Sequence, residues 1–158
     1  MKHLLLTTIA AVLLVGCGPS TPDISIHDAA LEGKIEAIKQ HLAAGTDVND
    51  KGLFGGTPLI HAESREIIEL LIGAGADVNY SPANGITPLA HAVIRRDKES
   101  AELLITSGAD VNSKDRQGYT PLDTANDIVT SKAVLKEITD LLRKHGGKTG
   151  EELKAEGK

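Results

Sequence analysis

The chain has 158 residues, enough for one domain with its own core. A formal net charge of −5 and the absence of clustered Lys or Arg exclude a surface built for a nucleic-acid backbone. With two Tyr, one Phe and no Trp, the core has to come from Ala, Ile, Leu and Val.

Lys2 precedes an apolar run from Leu4 to Val15, too short to span a bilayer and long enough for the core of a signal peptide. The run ends in Leu14-Val15-Gly16-Cys17, which resembles the lipobox of bacterial lipoproteins, where small residues precede a cysteine that becomes acylated. Cys17 is the only cysteine, so no intramolecular disulfide can form, and lipidation gives an exported thiol its purpose. The expectation is a signal peptide over 1–16, a lipidated linker over 17–23 and membrane attachment through lipid on Cys17. Gly18 rather than Asp follows the cysteine, which by the enteric sorting rule implies the outer membrane, facing the periplasm. Removing Lys2 with the signal peptide takes the net charge from −5 to −6. Ordinary secretory cleavage is the alternative.

From Ile24 onward two marks recur together. Gly-Ala-Asp-Val-Asn stands at 75–79 and 108–112, and with one change at 45–49; each copy is followed by Thr-Pro-Leu, at 57–59, 87–89 and 120–122. Asn49 to Asn79 is 30 residues and Asn79 to Asn112 is 33, the period of a turn plus two helices that stack on their neighbours.

The first unit, 24–49, lacks Thr-Pro-Leu, and Ser25 with Asp28 serves as its N-cap pair. Gly33 ends its first helix and Gly45 supplies the left-handed residue that closes its second. His41 takes a position held by leucine in later units and reads as a packing residue. The second unit, 50–79, starts its helix at Thr57-Pro58, because Thr caps well and Pro at the first helical position gives up an N–H that has no helical partner. Thr57 to Gly75 is 18 residues against 21 from Thr87 to Gly108, so its first helix is predicted to be about a turn shorter, with Ser64 capping the next. The third unit, 80–112, has full length. In the fourth, 113–147, Leu135, Ile138, Leu141 and Leu142 form an inward stripe, opposite Lys132, Lys136, Glu137, Arg143 and Lys144. Thr149 and Glu152 have capping-box spacing for a last helix within 148–158, with the tail fraying after Leu153.

Over 24–147 this pattern resembles the ankyrin repeat family, whose unit reads Asp-x-x-Gly-x-Thr-Pro-Leu-His-x-Ala-Ala and closes on Leu-Leu and Gly-Ala-Asp-Val-Asn. Gly55, Gly85 and Gly118 keep the turn glycine; the family Asp survives only as Asp115, with Gly52 and Pro82 in its place, and only His27 keeps the family His. The resemblance implies an all-α repeat solenoid of about four ankyrin-type helix-turn-helix repeats, with β-hairpin fingers and a concave face that binds other proteins. It implies no catalysis.

The fingers, 49–56, 79–86 and 112–119, hold all three aromatic residues, Phe54, Tyr80 and Tyr119. With Leu53 and Ile86 adding apolar area and Arg116 a charge, these six residues are the candidate partner-binding surface, since aromatic side chains anchor protein interfaces. Packing against the next finger is the alternative for Tyr119 and Ile86. Replacing Phe54, Tyr80, Ile86 and Tyr119 together by alanine is expected to leave melting unchanged. His61 and His91 share a repeat position next to Asp28, a row too widely spaced to favour a metal. No nucleophile with a base and no phosphate-cradling loop is present. The reading is a monomeric, membrane-anchored protein-interaction module of the bacterial envelope, with an unidentified protein partner, no enzyme activity, no cofactor, no metal and no small-molecule substrate. The alternative is a periplasmic immunity or inhibitor protein that neutralises a toxin.

Overall fold

Thr-Pro pairs and left-handed glycines divide the chain into short helices, and those helices then stack in two layers. The protein is seen in a computed structural model that describes residues 21–53, 55–127 and 132–157. Its helices are α1 (Ile26–Leu31), α2 (Ile35–Ala43), α3 (Pro58–His61), α4 (Arg65–Gly73), α5 (Pro88–Arg95), α6 (Lys98–Thr106), α7 (Pro121–Asp127), α8 (Lys132–Lys144) and α9 (Gly150–Ala155).

Most starts follow the sequence. Ser25 Oγ accepts the Asp28 N–H at 3.0 Å, Ser64 Oγ the Ile67 N–H at 3.3 Å and Thr87 Oγ1 the Ala90 N–H at 3.3 Å. Thr57 departs from the expectation: its hydroxyl caps nothing and is buried without a partner. The helix after it explains this. With four residues, α3 is a single turn, and the Ile60 N–H is taken instead by the Thr57 carbonyl at 3.0 Å. Against the eight residues of α5, α3 is about a turn shorter, as the three missing residues predict.

Each odd-numbered helix from α1 to α7 packs on the next odd-numbered one, and α2, α4, α6 and α8 do the same in a second layer. Ala30, Ala62, Ala92 and Ala125 recur five residues after their caps Ser25, Thr57, Thr87 and Thr120, and all four are buried. A methyl at that point lets the helices of the inner layer approach closely; a larger side chain would force them apart at a cost of about 1–3 kcal/mol. Ile38, Ile67, Ile68, Leu71, Leu104, Ile138 and Leu142 fill the space between the layers. Such a core is continuous from one unit to the next, so no unit is stable alone.

The ends are closed differently. His41 is 5% exposed, with Nε2 2.7 Å from the Ile24 carbonyl and Nδ1 3.2 Å from Thr46 Oγ1, so it ties the segment entering α1 to the end of α2. At the far end the capping box at Thr149 and Glu152 forms as predicted. The tail does not fray at Leu153: α9 runs on to Ala155, and Lys148 Nζ pairs with Glu156 at 2.6 Å.

The expected β-hairpins are not confirmed: no strand occurs among the described residues. The first finger closes with Gly52 N–H to the Gly56 carbonyl at 3.0 Å and Gly55 N–H to the Gly52 carbonyl at 2.8 Å, and the third with Asp115 N–H to the Tyr119 carbonyl at 2.9 Å and Gly118 N–H to the Asp115 carbonyl at 3.0 Å. In the second finger the matching residue is Pro82, which has no N–H to donate. There the Gly85 N–H still donates to the Pro82 carbonyl at 2.8 Å, so each finger is closed by short-range bonds of a turn. None of the described helices is long and apolar enough to cross a membrane. The signal peptide, Cys17 and most of the linker lie outside the described residues, as does Phe54.

Candidate protein-binding interface

The repeated Asn is what sets the fingers side by side. Asn49 Nδ2 donates to the Gly75 carbonyl at 3.1 Å while its Oδ1 accepts the Asp77 N–H at 2.8 Å. Asn79 does the same to Gly108 and Asp110 at 3.0 and 2.7 Å, and Asn112 to Gly146 and Lys148 at 3.1 and 2.8 Å. Each Asn is in turn oriented by the Asp two residues earlier, whose Oδ1 accepts the Asn N–H at 2.9 Å. Glycine is required in this motif because Gly75 and Gly108 have φ of +92° and +95°. A row of bidentate amides therefore runs along the base of the fingers and fixes the step from one unit to the next.

On this base the first finger is held at both arms. His27 Nε2 lies 2.9 Å from the Asp50 carbonyl, and the Tyr80 hydroxyl donates to the Gly55 carbonyl at 2.7 Å. Lys51 Nζ stands 5.2 Å from the centre of the Tyr80 ring. Fingers two and three meet more tightly. The Arg116 N–H donates to the Asn84 carbonyl at 3.1 Å, and a methyl on Gly85 would lie 2.6 Å from Asp115 Cα. Asp115, the one family aspartate kept here, shapes the third finger by accepting the Gln117 and Tyr119 N–H groups on Oδ1, each at 2.9 Å.

The candidate residues separate into two kinds. Leu53 is fully exposed, Arg116 is exposed, and Tyr119 is 49% exposed. Tyr80 and Ile86 are half-buried, and Tyr80 braces the neighbouring finger, so its removal disturbs the fold as well as the surface. A change at all four positions is thus expected to lower melting, contrary to the sequence reading. Leu53 and Tyr119 stand at opposite ends of the edge. Leu53 borders a cleft of about 390 Å³ with Leu31, His27 and His61; Tyr119 borders one of about 380 Å³ with Lys114, Asp123, Glu151 and Lys154.

Histidines line the inner layer, though not as the repeat register suggests. The ring that meets His61 is that of His27, edge to face with centres 6.0 Å apart, while Asp28 is held by Ser25 Oγ at 2.7 Å. Burial, reinforced by His27 and opposed by Asp28, pushes the His61 imidazole below its ordinary range. Burial also lowers His91, with Arg95 and His61 adding to the effect. Among the described residues no group of three or more metal-ligating side chains comes together.

Two features escaped the sequence reading. The Asn row spans nearly a full repeat in sequence, so nothing local announces it. Leu31 left a signal: it directly follows the buried Ala29 and Ala30, an apolar residue off the stripe of α1, and it is 48% exposed.

No curated protein matches the chain. The family model described as "Ankyrin repeats (3 copies)" matches residues 26–115 and, in a second overlapping placement, 64–146, which together span most of the chain. The stacked helix pairs, the bidentate asparagines and this match agree, and the chain belongs to the ankyrin repeat family.

Proposed function

We propose that this protein is an ankyrin repeat lipoprotein of the bacterial cell envelope, anchored through Cys17, whose finger edge binds another envelope protein. Ankyrin repeats form protein–protein interaction modules and are generally not enzymes. The observation that carries the reading is the Asn-aligned edge, which holds Arg116 and Tyr119 outward on a rigid base. Rigid presentation lowers the ordering cost of binding, and aromatic anchors dominate interface energies. The anchoring half rests on the residues Leu14-Val15-Gly16-Cys17 and on Cys17 being the single cysteine.

Both halves are tested on the full chain. Intact mass should show Cys17 acylated, and Cys17→Ser should release the protein from membranes. Photocrosslinking in the envelope should recover one protein that is lost in a variant carrying Arg116→Ala and Tyr119→Ala, whose melting is expected to match the parent. Capture retained by that folded variant overturns the binding edge; membrane retention of Cys17→Ser overturns the anchor.

A further inference from the structure

The inference rests on the anchoring reading and gives the amino-terminal end of the stack a lipid partner. Four large apolar side chains are exposed among the described residues, Leu31, Leu53, Ile94 and Tyr119, and two of them, Leu31 and Leu53, border the same cleft. That cleft lies where the described chain begins, since Ser25 is also part of its wall. Among the described residues nothing buries Leu53, which is fully exposed, and Gly52 before it carries no side chain.

Nor can the tip fold back to hide its leucine. One arm of the finger is tied at Asp50 to His27 and the other at Gly55 to Tyr80, at 2.9 and 2.7 Å. An apolar side chain fixed outward in this way needs little further ordering to enter an apolar medium. Distance then limits which medium it meets. Cys17 precedes Ser25 by eight residues, a span of at most about 28 Å when fully extended. A chain acylated at Cys17 therefore keeps this cleft within reach of the leaflet that holds it.

We propose that the Leu31–Leu53 cleft rests on the bilayer surface, with Leu53 inserted below the headgroups. Charge points to zwitterionic lipid. Glu32 pairs with Lys34 at 2.7 Å, Asp28 and Asp50 offset Lys51, and the chain without its signal peptide is at −6, so anionic headgroups find no excess of cations. The contact is apolar and insensitive to salt.

The chain has no Trp, so Leu53→Trp and Tyr119→Trp each place a single indole, one in the proposed contact and one at the far end of the edge. The full chain, expressed with its own amino terminus, is returned to phosphatidylcholine vesicles with and without brominated acyl chains, and the mass of the same sample reads acylation of Cys17. The expected result is an acylated chain in which the indole at 53 is blue-shifted and quenched by bromolipid at low and high salt, while the indole at 119 is unaffected. Adding Leu31→Asp should shift the balance toward the undocked state about 10-fold or more, the scale of moving one leucine between water and hydrocarbon, and abolish the quenching. An acylated chain without quenching at 53 overturns the docking and leaves the anchor standing. An unacylated chain overturns the anchor and the docking with it. A blue shift without bromolipid quenching means that a protein surface covers Leu53, which also refutes the proposal.

Discussion

Gly85 and Gly118 occupy the same place in successive fingers, with φ of +81° and +88°, yet only Gly85 has a neighbour in its way. Alanine at Gly118 meets nothing within 4 Å, so its cost is the left-handed backbone alone, about 1–2 kcal/mol. Alanine at Gly85 carries the same strain and also drives a methyl to within 2.6 Å of Asp115 Cα and 2.7 Å of the Arg116 nitrogen, both backbone atoms that cannot rotate aside. The fingers must separate, which breaks the 3.1 Å bond from the Arg116 N–H to the Asn84 carbonyl. Losing that bond adds about 0.5–1.5 kcal/mol, and parting the packed backbones raises the total to roughly 3–4 kcal/mol. The loss of unfolded-state freedom is common to both variants and cancels in the comparison. Urea unfolding followed by circular dichroism measures the difference, and the Gly85→Ala transition should also broaden, because the coupling of two neighbouring units is what has been weakened. Equal losses in the two variants would refute the reasoning, for they would mean that the fingers do not press on each other.

Asn79→Ala removes both bonds to the next unit, to the Gly108 carbonyl and the Asp110 N–H; a loss of about 1–2 kcal/mol is expected in the same assay, reduced because the site is exposed to water. His61 and His91 bind protons less readily when folded than in the unfolded chain, whose imidazoles titrate near 6.5. The unfolded state takes up protons first, so melting temperature should fall as pH drops through that value and level off below the folded pKa; His61→Gln with His91→Gln should flatten this slope. Glu152 is held down to about 2 by the Arg143 guanidinium and the Thr149 N–H. Its contribution is present above the ordinary carboxylate range and is lost as pH falls toward 2, so Glu152→Gln should remove acid sensitivity of the α9 amide signals in that window.

The inward stripe of α8, the Ser64 cap and the shortened α3 were legible because each depends on residues within a turn or two of one another. The candidate site was legible only as a set of types. Leu53, Arg116 and Tyr119 are exposed as the sequence suggests, whereas Tyr80 is committed to Gly55, a partner 25 residues away. Hairpin fingers followed from the family pattern, but this chain has Pro82, which cannot donate, in one of them and short turn bonds closing the others, and no strand occurs among the described residues.

By itself, then, the sequence determined where helices begin and end, which faces are apolar and that the units must stack. Those properties come from periodicity, capping and backbone preference, all of them short-range. Only the tertiary structure decided how the fingers align, which of their side chains serve as braces, and that Leu31 and Leu53 share one cleft. Such outcomes depend on carbonyls, N–H groups and empty space supplied by the neighbouring unit, which the spacing of residues along the chain does not encode.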